Sequence, residues 1–128
     1  MSEMYSRPPG KTTIAPDVLL TIVNLTTKET AGVARLSPVP GGVDRLFQRG
    51  IGDGVRLEIE DDTVYADLYV ILESDINIRE VSRNLQHRVA RAISEMVGMQ
   101  VGRINVHIED IEYPESSPEA EKAAAAHR

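Results

Sequence analysis

Arg79, Arg83, His87 and Arg91 recur every fourth residue, and Arg88 flanks them. On a helix that spacing sets them in one row along one side. A row of cations binds carboxylates, phosphates or anionic head groups; it does not by itself break bonds. The plain alternative is a solvated helix face balanced by Glu80 and Glu95. The chain carries 20 acidic and 14 basic residues, a net charge of −6, so composition alone does not account for such a row.

Other arrangements that could carry chemistry are weak. His87, His107 and His127 have no partner at metal-ligand spacing, so no metal site is expected. With no cysteine there is no thiolate nucleophile, no disulfide and no cysteine-held zinc. No Gly-x-Ser-x-Gly elbow occurs. Gly50-Ile-Gly-Asp-Gly54 resembles a phosphate loop only in its glycines. It lacks the following Lys-Ser or Lys-Thr, and a strand pattern follows where a helix is needed. Asp61-Asp62 reads as a turn, because in so acidic a chain neighbouring carboxylates are common. No cofactor is implied.

Tyr65 and Tyr69 share one side of an alternating segment. Tyrosines on an open sheet stack unpaired bases in some RNA-binding folds, and tyrosine is also enriched at protein interfaces. Asp67 between them and the negative net charge favour self-association over nucleic acid.

The elements that must position these residues can be read from periodicity. Residues 1–11 hold two prolines and a glycine without apolar rhythm and read as a flexible arm. Pro16–Glu29 is ambiguous: Val18, Ile22, Leu25 and Glu29 have helical spacing, as do Leu19 and Val23 on an adjoining stripe, yet the segment is rich in β-branched threonine. Strict alternation is missing, which favours helix. Residues 32–36 suit a short edge strand. Residues 37–54 are irregular, with one or two helical turns expected around Leu46 and Phe47; so long a connection is unusual in a compact domain.

Val55–Glu60 alternates, with Val55, Leu57 and Ile59 on one side. Residues 64–73 alternate too, setting Val64, Ala66, Leu68, Val70 and Leu72 inward and Tyr65, Asp67, Tyr69 and Ile71 on the other face. Residues 77–97 form the clearest helix: Asn77 as cap with Glu80 three residues on, Ile76 and Val81 as a staple, an apolar stripe through Leu85, Val89 and Ile93, and Gly98 as a left-handed stop. Residues 101–108 alternate again, with Ile104, Val106 and Ile108 one way and Arg103, Asn105 and His107 the other, so the uncovered face, wet or an interface, is expected to carry Tyr65, Asp67, Tyr69, Ile71, Asn105 and His107. Residues 114–128 lack large apolar side chains and read as a disordered acidic, alanine-rich tail.

The order predicted is α–β–β–β–α–β, a two-layer α+β domain over residues 12–113, its antiparallel or mixed sheet covered on one face by two helices. At 128 residues such a chain buries roughly two-thirds of its unfolded surface and needs no staple. No apolar run approaches the roughly 20 residues of a membrane span, and no secretory or lipidation signal is read, so direct insertion is not expected.

Val64-Tyr-Ala-Asp-Leu-Tyr-Val-Ile-Leu-Glu73, Ile78-Arg-Glu-Val81, Leu85-Gln-His-Arg-Val89, Met96-Val-Gly-Met99 and Ile104-Asn-Val-His-Ile108 together resemble the alkaline shock protein family of bacterial stress proteins. Gly32-Val33, after the first helix, fits the same pattern. The resemblance implies a small α+β domain without catalytic residues, hence no enzyme. It also favours the helical reading of Pro16–Glu29. It further implies a cytoplasmic protein of cell-envelope homeostasis that self-assembles into homo-oligomers and is held near the membrane by a membrane-anchored partner. The sequence departs from the family at Asp62, where glycine is usual, and in the threonine-rich first helix. The expected function is therefore a scaffold or interaction protein using Arg79, Arg83, His87, Arg91, Tyr65 and Tyr69. The alternative is an RNA-binding module on the open sheet face.

Overall fold

A computed structural model describes residues 9–40, 51–52 and 54–113. The expectations for the segment around Leu46 and Phe47, for most of the N-terminal arm and for the tail fall outside those residues.

The first helix, α1 (Pro16–Glu29), starts with Pro16 in its first turn, where a missing N–H costs nothing. Its threonines are reconciled with helical backbone by one repeated device. The hydroxyls of Thr21, Thr26, Thr27 and Thr30 each donate to the carbonyl four residues back, at 2.7–2.9 Å. That hydrogen bond lets Thr27 and Thr30 be buried in the apolar layer. Leu19, Val23 and Thr27 face the sheet, while Val18 and Leu25 are exposed. Of the two stripes legible in the sequence, the one beginning at Leu19 therefore packs inward and the one beginning at Val18 faces outward.

Gly32 carries the chain from α1 into β1 (Val33–Leu36) with φ +94°, and a Cβ there would lie 2.7 Å from Cγ2 of Val81. Only glycine combines that backbone angle with so close an approach of the second helix. A two-residue strand, β2 (Ile51–Gly52), then pairs with β3 (Val55–Glu60). It adds one strand to the predicted order, inside the segment read as irregular.

Asp61 and Asp62 connect β3 to β4 (Thr63–Glu73) with φ of 47° and 66°. Two left-handed residues between the paired Glu60 and Thr63 make the tight hairpin that the right-handed strand twist favours. The second helix, α2 (Ile78–Ala92), opens with the Glu80 N–H donating to Oδ1 of Asn77 at 3.0 Å. It runs on through a single wider turn, Ile93–Val97, and stops at Gly98, whose N–H donates to the Ile93 carbonyl and whose φ is 75°. Cap, apolar stripe and stop match the sequence expectation. β5 (Gln100–Glu112) follows.

β4 is the axis of the sheet. One of its edges carries β5, parallel, along almost its whole length. The other is shared: β3 pairs antiparallel with residues 63–68, and β1 with residues 70–72. The hand-over falls at Tyr69, whose N–H donates to the Gly54 carbonyl and whose carbonyl accepts from Ser37, both at 2.8 Å. The sheet is thus mixed, and both helices lie on one side of it. Leu19, Val23, Leu57, Val64, Leu68, Leu72, Leu85, Val89 and Ile93 fill the layer between, each at most 2% exposed. Burying each such side chain stabilises the fold by about 1.5–3 kcal/mol before conformational entropy is subtracted.

Candidate functional site

The face of the sheet away from the helices carries a polar cluster made by register. Parallel pairing sets Asp67 beside Asn105 and Tyr69 beside His107; antiparallel pairing sets Arg56 beside Asp67. The Asp67 carboxylate accepts from Nδ2 of Asn105 at 3.2 Å, lies 2.9 Å from Nε2 of His107, and faces Nε of Arg56 at 3.8 Å. Burial works to raise its pKa. The hydrogen bonds from His107 and Asn105 and the nearby charges of Arg56 and His107 outweigh burial, so the carboxyl is held below its usual 3.8. The imidazole of His107 lies flat on Tyr69, ring centroids 4.6 Å apart and planes 13° from parallel.

Two further contacts extend this face. The Arg103 guanidinium lies 5.8 Å from the centroid of Tyr65. The Tyr65 ring also rests on Gly102, where a Cβ would meet its edge carbon Cε1 at 2.3 Å. Toward the far end, Arg35 of β1 and Glu112 of β5 form a 2.8 Å ion pair. Since β4 separates those two strands, this pair spans it, on the side where Ile71 sits opposite Arg35. The face expected to be wet or an interface is thus partly closed by its own side chains: Tyr69 and Ile71 are each only 9% exposed. Tyr69 cannot offer both ring faces to a base, because His107 holds one of them. Tyr65 is half-buried and keeps its outer edge.

Arg79, Arg83, His87, Arg88 and Arg91 are all exposed on α2. Arg91 pairs with Glu95 at 3.1 Å. Among the described residues, no carboxylate lies within ion-pair distance of Arg79, Arg83 or Arg88. The row therefore stands on the helix side of the molecule and the Tyr65–Tyr69 cluster on the opposite side of the sheet. The six residues singled out in the sequence form two surfaces, not one. Alternation places Asp67, Asn105 and His107 on the same open face; that they meet was not legible, because it depends on the parallel register of β4 with β5 and on the shift in that register between Val101 and Ile104. No group of three or more His, Cys, Asp or Glu suited to a metal ion occurs among the described residues.

A two-layer α+β domain with these two surfaces is what comparison with other proteins bears on. The model of the alkaline shock protein 23 family, described as having a cell envelope-related function, matches residues 5–113. The chain belongs to that family. It is 33% identical over 103 residues to the uncharacterized protein Spy1535 of Streptococcus pyogenes serotype M6, covering 80% of this chain and 79% of that one. It is 27% identical over 114 residues to the uncharacterized protein YqhY of Bacillus subtilis (strain 168), covering 88% and 84%. A solved structure described as MamM-CTD 215-293 aligns at 11% identity with a TM-score of 0.46, over 73% of this chain and 96% of that one. No described helix is long and apolar enough to cross a membrane.

Proposed function

We propose that the protein is a non-enzymatic scaffold of the cell envelope, working through self-association and through an acidic partner or anchor near the membrane. The observation that carries the partner reading is the α2 row. Arg79 and Arg83 are exposed, one helical turn apart, and without a carboxylate in reach among the described residues, in a chain of net charge −6. The capped helix fixes where these side chains start, so docking of an acidic segment orders only their rotamers, at about 0.5–1.5 kcal/mol each. The sheet face suits packing between proteins better than base stacking, because His107 covers one face of Tyr69 and the chain's charge repels a polyanion.

The test is R83E/R91E. Both side chains are exposed and lie outside the core, so the fold should survive, with unchanged far-UV circular dichroism. Capture of envelope proteins by the immobilised chain should fall at least tenfold at low salt, and less at high salt, where the wild-type interaction is itself screened. Equal capture by the variant at both salt concentrations would remove the row from the interaction.

A further inference from the structure

Resting on the self-association just proposed, we infer where two copies meet: the outer edge of β5 pairs antiparallel with β5 of a second copy, about a two-fold axis at Val106. β5 is the longest strand and, among the described residues, pairs with β4 alone. An unpaired edge of that length is a template for strand addition. The direction of its backbone groups is fixed by a side chain: Nε2 of Gln86 donates to the Ile104 carbonyl at 2.9 Å, so that carbonyl faces away from β4. Alternate residues of a strand face opposite edges, so the N–H and C=O groups of Ile104, Val106 and Ile108 face outward.

The register follows from where β5 is regular. Its pairing with β4 is interrupted between Val101 and Ile104 and again between Ile108 and Asp110. Residues 104–108 between the two bulges are straight, and Val106 is their centre. Bulges at both ends stop an intruding strand from pairing further, which limits the template to this window. A two-fold at Val106 sets Ile104 against Ile108 of the second copy and Asn105 against its His107. It also brings the bulge at Arg103 beside the bulge at Glu109, so each end of the window joins opposite charges. Moving the axis one residue, to Asn105, would keep the outward N–H and C=O groups paired but set Arg103 against His107 and Glu109 against Val101, so the opposite charges would no longer meet. The self-complementary charges identify the occupant as a second copy of this chain. They act locally against the repulsion between two molecules of net charge −6. The Ile104 carbonyl keeps a second lone pair for the ladder while Gln86 holds the first.

The chain has no cysteine, so introduced thiols report alone. In the proposed dimer, residues 105 and 107 face each other as a pair without mutual backbone bonds, with Cα atoms about 4.5 Å apart, which is within disulfide reach. Asn105→Cys and His107→Cys proteins, mixed and mildly oxidised, should give a disulfide joining one copy of each; either protein alone should stay mostly unlinked, because like positions lie diagonally. Independently, R103E should weaken dimerisation by about tenfold or more in sedimentation equilibrium. R103E/E109R, which restores opposite charges across the axis, should recover it. If the full chain associates but the mixed cysteines do not link and the charge swap changes nothing, the edge is overturned and self-association stands. A chain that is monomeric at all concentrations overturns both.

Discussion

The contact between Tyr65 and Gly102 permits a quantitative test of how the open sheet face is held. An alanine Cβ at Gly102 would lie 2.3, 2.6 and 2.9 Å from Cε1, Cδ1 and Cζ of Tyr65. These distances are too short to relieve by a few tenths of an ångström, so the ring must swing off the strand. Two favourable terms go with it. One is the Arg103 cation–π contact, worth about 0.5–1 kcal/mol at an exposed site. The other is the ring area resting on the glycine backbone, on the order of 50 Å², or about 1 kcal/mol at 25 cal/mol per Å². Against them, alanine is better than glycine inside a strand by about 0.5–1 kcal/mol. Gly102→Ala should therefore destabilise the protein by about 1 kcal/mol. In a Tyr65→Ala background both lost terms are already absent, so the same substitution should stabilise by about 0.5–1 kcal/mol. The cycle predicts a coupling of about 1.5–2 kcal/mol, measured by urea denaturation followed by far-UV circular dichroism. If Gly102→Ala has the same effect in both backgrounds, the ring does not rest on the glycine and the reasoning fails.

Two other outcomes are expected. Asp62→Gly should stabilise by about 1 kcal/mol, seen as a higher urea midpoint at unchanged slope, because residue 62 sits at φ 66° where a Cβ is penalised. A loss of stability would mean that the Asp62 side chain contributes more than its strain. The Asp67 carboxyl is held below 3.8 in the folded protein, so its contribution to stability is fully present above that value and is lost as the pH falls through the depressed one. The stability difference between wild type and Asp67→Asn should therefore be flat at higher pH and shrink only in acid below about pH 4; a difference that persists unchanged at pH 2 would refute the assignment.

Much of the fold was legible because local signals agreed. Asn77, Glu80, the stripe through Leu85 and Val89, and Gly98 all specified one helix, and each acts within a turn or two of its own position. Alternation in β3 and β4 separated inner from outer residues correctly, since strand side chains change face at every residue. α1 was harder. It is apolar on more than one side, and nothing in its own sequence says whether Leu19 or Val18 meets the sheet. The hydroxyl bonds that make its threonines compatible with a helix are a property of the folded backbone. β2 was missed because two residues carry no periodicity.

The candidate surfaces divide along the same line. The row Arg79, Arg83, His87, Arg91 was visible because a single helix makes it, and a helix fixes side-chain azimuth from sequence spacing alone. The Asp67–His107–Asn105–Arg56 cluster was not, because it joins three strands, and strand register is set by packing and turns far from the residues it brings together. The residues alone specify α2 and the strands β3, β4 and β5, the inward faces of β3, β4 and α2, the net charge and the family resemblance. Long-range packing settles which face of α1 is buried, that His107 covers Tyr69, that Arg35 and Glu112 bridge across β4, and that β5, among the described residues, pairs with β4 alone. Each of these depends on which strands lie side by side, a long-range choice made by the whole hydrophobic layer and not by any local run of residues.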